Sequence, residues 1–138
     1  ICMSHYYVPL LRTLASFRFP LVRVSIDGGE AVEAGGFVLV SNVRSYGGPL
    51  VITPDAAYDD GLLDVCVLPR GSLPRYVRAL AACFLGLQHC LSGAQYYRGR
   101  SVRITADERV PCQVDGDPAG FVPASIDMLD RTLRMVVP

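Results

Sequence analysis

The sequence has no lysine: all thirteen basic residues are arginine, and thirteen acidic residues balance them to a formal net charge of zero. The arginines are scattered, so the charge pattern contains neither a nucleic-acid footprint nor a basic membrane-binding run. No CxxC pair occurs among the five cysteines (Cys2, Cys66, Cys83, Cys90 and Cys112), and the histidines are only His5 and His89. That set argues against a zinc motif or a disulfide framework and reads as reduced core cysteine in a cytoplasmic protein. Long apolar runs are missing too. The longest, Ala79 to Leu87, is far shorter than the ~20 residues of a membrane-spanning helix, so any membrane contact is expected to be peripheral. No charged leader opens the chain at Ile1, and no signal peptide is expected. Neither a GxxxxGK[ST] loop nor a GxGxxG loop is found, and there is no recognisable Ser-His-Asp set.

What is present is a strand-rich pattern of 138 residues, enough for one domain with one core. Apolar residues make up 51% and mean hydropathy is +0.32, an excess available to a deep core, a partner surface or a lipid contact. A short helix is expected over His5 to Phe17, ending before Pro20. Leu21 to Asp27 alternates as a half-buried strand, Asp27-Gly28-Gly29 supplies a hairpin turn, and Ala31 to Val43 is the return strand. The Gly35-Gly36 pair inside it signals a bulge or a close backbone approach. After the break at Ser45 to Pro49, Leu50 to Thr53 resumes the strand pattern, Pro54 to Gly61 is an Asp-containing loop, and Leu62 to Leu68 is an apolar strand.

One substantial helix is expected from Ser72 to Ser92, with Ser72 as N-cap, Pro74 in its first turn and Leu73, Val77, Leu80, Ala81, Phe84 and Gln88 at helical spacing. Ser101 to Thr105, Pro111 to Val114, Gly120 to Met128 and Thr132 to Val137 read as further strands. Hairpins, one helix and more hairpins, without βαβ alternation, predict a mainly β fold: an antiparallel sandwich or partly closed barrel spanning 1–138 as a single domain.

Three segments carry chemistry when taken together: Ser41 to Gly48 (SNVRSYGG), Pro54 to Val65 (PDAAYDDGLLDV) and Gln113 to Asp117 (QVDGD). In the third, Asp115 and Asp117 flank Gly116. A tight turn would hold the two carboxylates close, and like-charge repulsion would raise one pKa toward that of a working proton acceptor. A solvated hairpin turn is the bland alternative. For Asp59-Asp60-Gly61 the alternative is likewise an Asp-Gly turn that holds no metal.

In these segments the sequence resembles the diacylglycerol kinase catalytic-domain family, bacterial lipid kinases with sphingosine and ceramide kinases as more distant relations. The shared features are an Asn before a Tyr-Gly-Gly turn, the loop Pro-x-Ala-x-x-x-Asp-Gly-Leu-x-Asp, and an Asp-Gly-Glu-like turn. The resemblance runs from about Tyr7 to the C-terminus and implies the second, β-sandwich domain of a two-domain enzyme. It implies that a first domain, with a Gly-Gly-Asp-Gly-Thr nucleotide loop not present in this sequence, binds ATP. The chain alone is then expected to be inactive.

The resemblance also implies a structural Mg²⁺ held by the Asp60 carboxylate and the carbonyls of Ala57 and Leu62, and proton acceptance from the lipid hydroxyl by Asp115. Asp117 departs from the family, which has Glu there, and this puts its share of that role in doubt. Asn42 and Tyr46 fall on a segment suited to lining a substrate cleft, although an Asn that stabilises a turn fits equally well. The implied partners are ATP and a diacylglycerol-like lipid met at a membrane surface; a homodimer is left open. Two other readings stand beside this one: the second domain of a nicotinamide-dinucleotide kinase, and a β-sandwich binding module without chemistry.

Overall fold

The computed structural model describes residues 20–46, 50–69, 71–85, 87 and 93–130. The helix expected over His5 to Phe17, the strand expected over Thr132 to Val137, both histidines, Cys2, Cys90 and Gly47-Gly48 lie outside the described residues.

The first strand, β1 (Val22–Ile26), pairs antiparallel with β2 (Val32–Ala34), Val22 opposite Ala34 and Val24 opposite Val32. The turn between them uses positive φ at Asp27 (49°) and Gly28 (73°), a region that Gly and, among other residues, Asp tolerate best. The Asp27 carboxylate accepts hydrogen bonds from the Arg100 and Ser101 amides at 2.8 and 2.9 Å, which fastens this turn to the corner between two later strands.

The return strand anticipated as one element over Ala31 to Val43 is two strands in different sheets. After β2 the chain passes through Gly35-Gly36 and enters β3 (Phe37–Ser41). A Cβ on Gly36 would lie 1.8 Å from the Tyr76 hydroxyl oxygen and 3.1 Å from the Leu68 carbonyl, so the close backbone approach is real at this position. Gly36→Ala therefore has to displace a side chain whose hydroxyl donates to the Pro69 carbonyl at 2.9 Å. A loss of about 1–3 kcal/mol in urea denaturation is expected. Tyr76→Phe in the same chain should recover part of it, a coupling that simple additivity would not give.

Next come β4 (Ser45–Tyr46), β5 (Leu50–Val51) and β6 (Leu63–Leu68), then the helix α1 (Leu73–Phe84) and the strands β7 (Gln95–Gly99), β8 (Ser101–Ala106), β9 (Pro111–Val114), β10 (Asp117–Phe121) and β11 (Ala124–Asp127). The sheets have the orders β11-β8-β1-β2 and β3-β6-β7, with β4–β5 and β9–β10 as separate two-stranded ribbons. Every pairing is antiparallel, as the sequence predicts, and none of the sheets closes into a barrel among the described residues. β7 escaped the sequence reading, and the strand expected over Gly120 to Met128 is divided into β10 and β11 around Val122-Pro123.

Val22, Val24, Ala34 and Val102 of the first large sheet pack on Leu63, Val65 and Val67 of the second, and this is the main core. Burial of a valine of this kind contributes roughly 1.5–3 kcal/mol. The other face of β6 is covered as well. Cys66 there joins Ile52 and Cys83 in a second cluster, with Leu39, Tyr46, Leu50 and Leu68 packed against it. Strand β6 is thus buried on both faces, which is why its sequence is an apolar run rather than an alternation. Burial pushes the Cys66 thiol up to about 11; Cys66 and Cys83 are buried free thiols, as expected of core cysteine, whereas Cys112 is a free thiol only half-buried on the β9–β10 ribbon.

Helix α1 is shorter than the expected Ser72 to Ser92. Ser72 is the N-cap in extended conformation, but its carbonyl, not its side chain, makes the capping contacts, accepting from Arg75 and Tyr76 amides at 2.9 and 3.3 Å. The end comes at Leu85, whose amide turns back to the Ala81 carbonyl at 3.1 Å, just before Gly86. Glycine disfavours helix by about 1 kcal/mol relative to alanine, a reason to stop here. Val77 and Ala81 of the expected apolar stripe are exposed, while Cys83, which is not in that stripe, is buried against Cys66 and Ile52.

Candidate functional site

The 53–62 loop enters from Ile52 and Thr53, both buried, and leaves into β6. Thr53 donates its hydroxyl to the Val43 carbonyl at 2.9 Å, and Ser41 closes the bend after β3 by donating to the same carbonyl and accepting from the Val43 amide. The first two motif segments are therefore tied at one end of the β3-β6-β7 sheet. Asn42 lies in the bend between Ser41 and Val43 and is exposed.

Asp60 forms a turn of its own: its Oδ1 accepts from the Leu62 amide at 2.9 Å. Its Oδ2 accepts from Nη2 of Arg98 on β7. The same guanidinium reaches Asp64, with Nε 3.1 Å from Oδ1. Asp64 stands on β6 directly beside Arg98 in the strand register, its side chain 7% exposed. Its Oδ2 is buried and has no hydrogen-bond partner among the described residues. Burial pushes the Asp64 carboxyl above the ordinary aspartate range; the Arg98 charge opposes this, and the charges of Asp60 and Asp55 act in the same direction as burial.

Neither Asp64 nor Arg98 was singled out from sequence. Asp64 had left a signal, a carboxylate inside an otherwise apolar strand and the last residue of the Pro54 to Asp64 motif. Arg98 had left none, because β7 itself was not recognised.

A Mg²⁺ at this loop can be tested against the donors present. Among the described residues no group of three or more His, Cys, Asp or Glu is arranged around a common metal position. One carboxylate with carbonyls and water is nevertheless a sufficient hard-oxygen set for Mg²⁺, and an unpartnered buried carboxylate oxygen lies next to it on Asp64. The donor chemistry fits, with the qualification that Arg98 already provides positive charge at Asp60.

The third segment lies on the β9–β10 ribbon. Val114 pairs with Asp117, so Asp115-Gly116 is a two-residue loop, and φ is positive at both (51° and 95°), the type I′ geometry that Asp-Gly favours. Asp115 and Asp117 are both exposed, and among the described residues the ribbon pairs with no other strand. It is held at its base by the Val122 amide donating to Val110 and by Arg109 stacked 3.7 Å above the Phe121 ring. Partway along, the Gln113 amide donates to the Tyr46 hydroxyl. Tyr46, the expected cleft residue, is thus linked to the Asp115 ribbon. Among the described residues no hydrogen bond or ion pair joins Asp60 to Asp115 or Asp117.

The described residues thus form a two-sheet antiparallel sandwich with an acidic loop at a sheet end and a projecting Asp-Gly turn. The chain belongs to the family described as the YegS C-terminal NAD kinase beta sandwich-like domain, whose model matches residues 2–137. It is 31% identical over 134 residues to the diacylglycerol kinase of Mycobacterium tuberculosis, covering 96% of this chain and 43% of that protein. Against the diacylglycerol kinase of Bacillus subtilis the identity is 27% over 137 residues, covering 96% and 44%. The chain therefore spans less than half the length of these curated relatives. A crystal structure of a diacylglycerol kinase from Bacillus anthracis superposes with a TM-score of 0.64 at 21% identity, covering 92% of this chain and 46% of that one, and shares the fold.

Proposed function

We propose that this chain is the acceptor-side domain of an ATP-dependent lipid kinase that phosphorylates the free hydroxyl of a diacylglycerol-like lipid. The observation that carries the reading is the Asp115-Gly116 turn, which presents a carboxylate at the tip of a ribbon anchored through Gln113 to Tyr46. Similarity to the diacylglycerol kinases of two bacteria supports the choice of lipid.

In this reading Asp115 accepts the proton of the lipid hydroxyl as its oxygen attacks the γ-phosphorus of ATP and the bond to ADP breaks. Asp117 has the supporting place, one methylene shorter than the family's Glu. Asn42 and Tyr46 line the lipid side. Asp60, with the carbonyls of Ala57 and Leu62, would hold Mg²⁺, which supplies structural charge neutralisation when bound. Nucleotide is held by a separate domain bearing the Gly-Gly-Asp-Gly-Thr loop, and closure against that domain is what would take Asp115 out of water. The lipid is met at a bilayer surface. No helix of the described residues is long and apolar enough to cross one.

The test is phosphoryl transfer from labelled ATP by the intact enzyme, with diacylglycerol, ceramide, sphingosine and NAD⁺ offered as acceptors. Label appearing in phosphatidic acid is the expected result. Label in NADP⁺ would move the chain to the dinucleotide-kinase reading, and no label in any acceptor to the binding module. The chain alone should give no label and no heat with MgATP in calorimetry.

A further inference from the structure

Arg98 touches both the Asp60 carboxylate of the loop and the Asp64 carboxylate of β6, and it does so in an incomplete way. Nη2 holds Asp60 Oδ2 and Nε holds Asp64 Oδ1, while Asp64 Oδ2, buried, has no partner among the described residues. A guanidinium satisfies a carboxylate fully when two of its N–H groups meet both oxygens in parallel. Asp64 offers that arrangement and receives half of it. The other half of the guanidinium is spent on Asp60, the loop carboxylate read above as the ligand of a hard cation.

We propose that Arg98 is a displaceable counter-cation of this loop, bridging Asp60 and Asp64 when no metal is bound and withdrawing onto Asp64 when a divalent cation takes Asp60. Asp64 is then a positioning residue. It is the parking place for the guanidinium, and its free Oδ2 is the second acceptor that makes the withdrawn position a bidentate one. The inference rests on the reading of Asp60 as a metal ligand and adds two residues to it. Local geometry permits the exchange. Arg98 and Asp64 are paired across the β6–β7 ladder, so their side chains leave the same face of the sheet and the exchange calls for no change of strand register. Arg98 is 42% exposed on its side chain, so it has room to move.

The consequence is a tuned affinity. With Arg98 on Asp60, a cation must displace one unit of positive charge before it binds, and the loop is kept weak for Mg²⁺. Removing that charge should tighten binding. Two unit charges a few ångströms apart interact strongly even at an effective dielectric near 20, but solvent at Arg98 screens much of this, so about a tenfold change is expected.

The experiment measures Mn²⁺ uptake by the intact protein without nucleotide, by electron paramagnetic resonance, with Mg²⁺ as competitor. Arg98→Gln, which keeps a hydrogen-bond donor for Asp64, should bind about tenfold more tightly than wild type. Asp64→Asn should bind several-fold more weakly, since the guanidinium then has no alternative carboxylate. In the Arg98→Gln background that weakening should disappear. Wild-type protein offers a check independent of folding in the variants: the Arg98 Nε–H resonance should shift during a Mg²⁺ titration with the midpoint of metal uptake. Unchanged or weaker binding in Arg98→Gln, or a stationary Arg98 resonance while metal binds, overturns the exchange and leaves the metal loop standing. If Asp60→Asn binds Mn²⁺ as well as wild type, the reading of Asp60 as a ligand fails first, and the exchange falls with it.

Discussion

If Asp115 is the base proposed above, Asp115→Asn in the intact enzyme is expected to lower kcat for lipid phosphorylation by about 10²–10⁴-fold, the usual worth of a positioned general base, and to leave the KM for ATP near its starting value. The substitution is a clean one because of where Asp115 sits. It occupies the first position of a type I′ turn at φ 51°, and asparagine tolerates that region as well as aspartate does. Alanine would add backbone strain to the loss of charge; asparagine removes only the basic oxygen. The ribbon should keep its Gln113–Tyr46 link and its Arg109–Phe121 contact, so lipid binding is retained. Asp117→Asn is expected to cost less, since its carboxylate lies beyond the turn and is shorter than the family's Glu. Steady-state kinetics on mixed micelles reads both. Near-normal kcat in Asp115→Asn would exclude Asp115 as the base.

Arg98→Ala is expected to destabilise the domain by about 2–4 kcal/mol at pH 7. Removing one partner of a buried ion pair commonly costs 3–5 kcal/mol because the other charge is left buried alone, and the exposure of Arg98 reduces that figure. The sign of the pH dependence follows from Asp64. Its folded carboxyl titrates above the ordinary aspartate value, chiefly through burial, so its contribution to stability is greatest below the unfolded value and is lost as pH rises through the folded one. Arg98 is the influence that holds it down. Without Arg98 the carboxyl moves further up and the neutral-pH loss deepens, whereas acid protonates Asp64 and relieves it. Urea denaturation should therefore show the gap between wild type and Arg98→Ala narrowing to below about 1 kcal/mol near pH 4. A gap of equal size at pH 4 and pH 7 would mean that Arg98 stabilises by packing its stem, not by its charge. In an Asp64→Asn background the substitution should cost little at either pH.

The all-antiparallel fold, the single central helix, the strand at β6 and the Asp115-Gly116 turn were legible in the sequence, because each depends on short-range properties. Hydrophobic period distinguishes strand from helix, and Asp-Gly is one of the few pairs that favours positive φ at two successive residues. Segment 54–64 was legible as a motif for the same local reason. Its residues lie on one loop and its exit strand.

Tertiary structure decided the remainder. Gly35-Gly36 announced a close approach, but that the approaching atom is the Tyr76 hydroxyl, and that the chain changes sheets there, depends on a helix forty residues downstream. Val77 and Ala81 satisfy helical spacing yet are exposed, because the sheet surface under α1 determines which side of an apolar helix is covered. Arg98 sits on a polar, aromatic strand without alternation, and its meeting with Asp60 and Asp64 is set by the β6–β7 register across more than thirty residues. Ion pairing of this kind has no sequence period. It arises when a ladder places a charge beside a carboxylate that burial has already made costly, and that information is held in the pairing of strands and not in either strand alone.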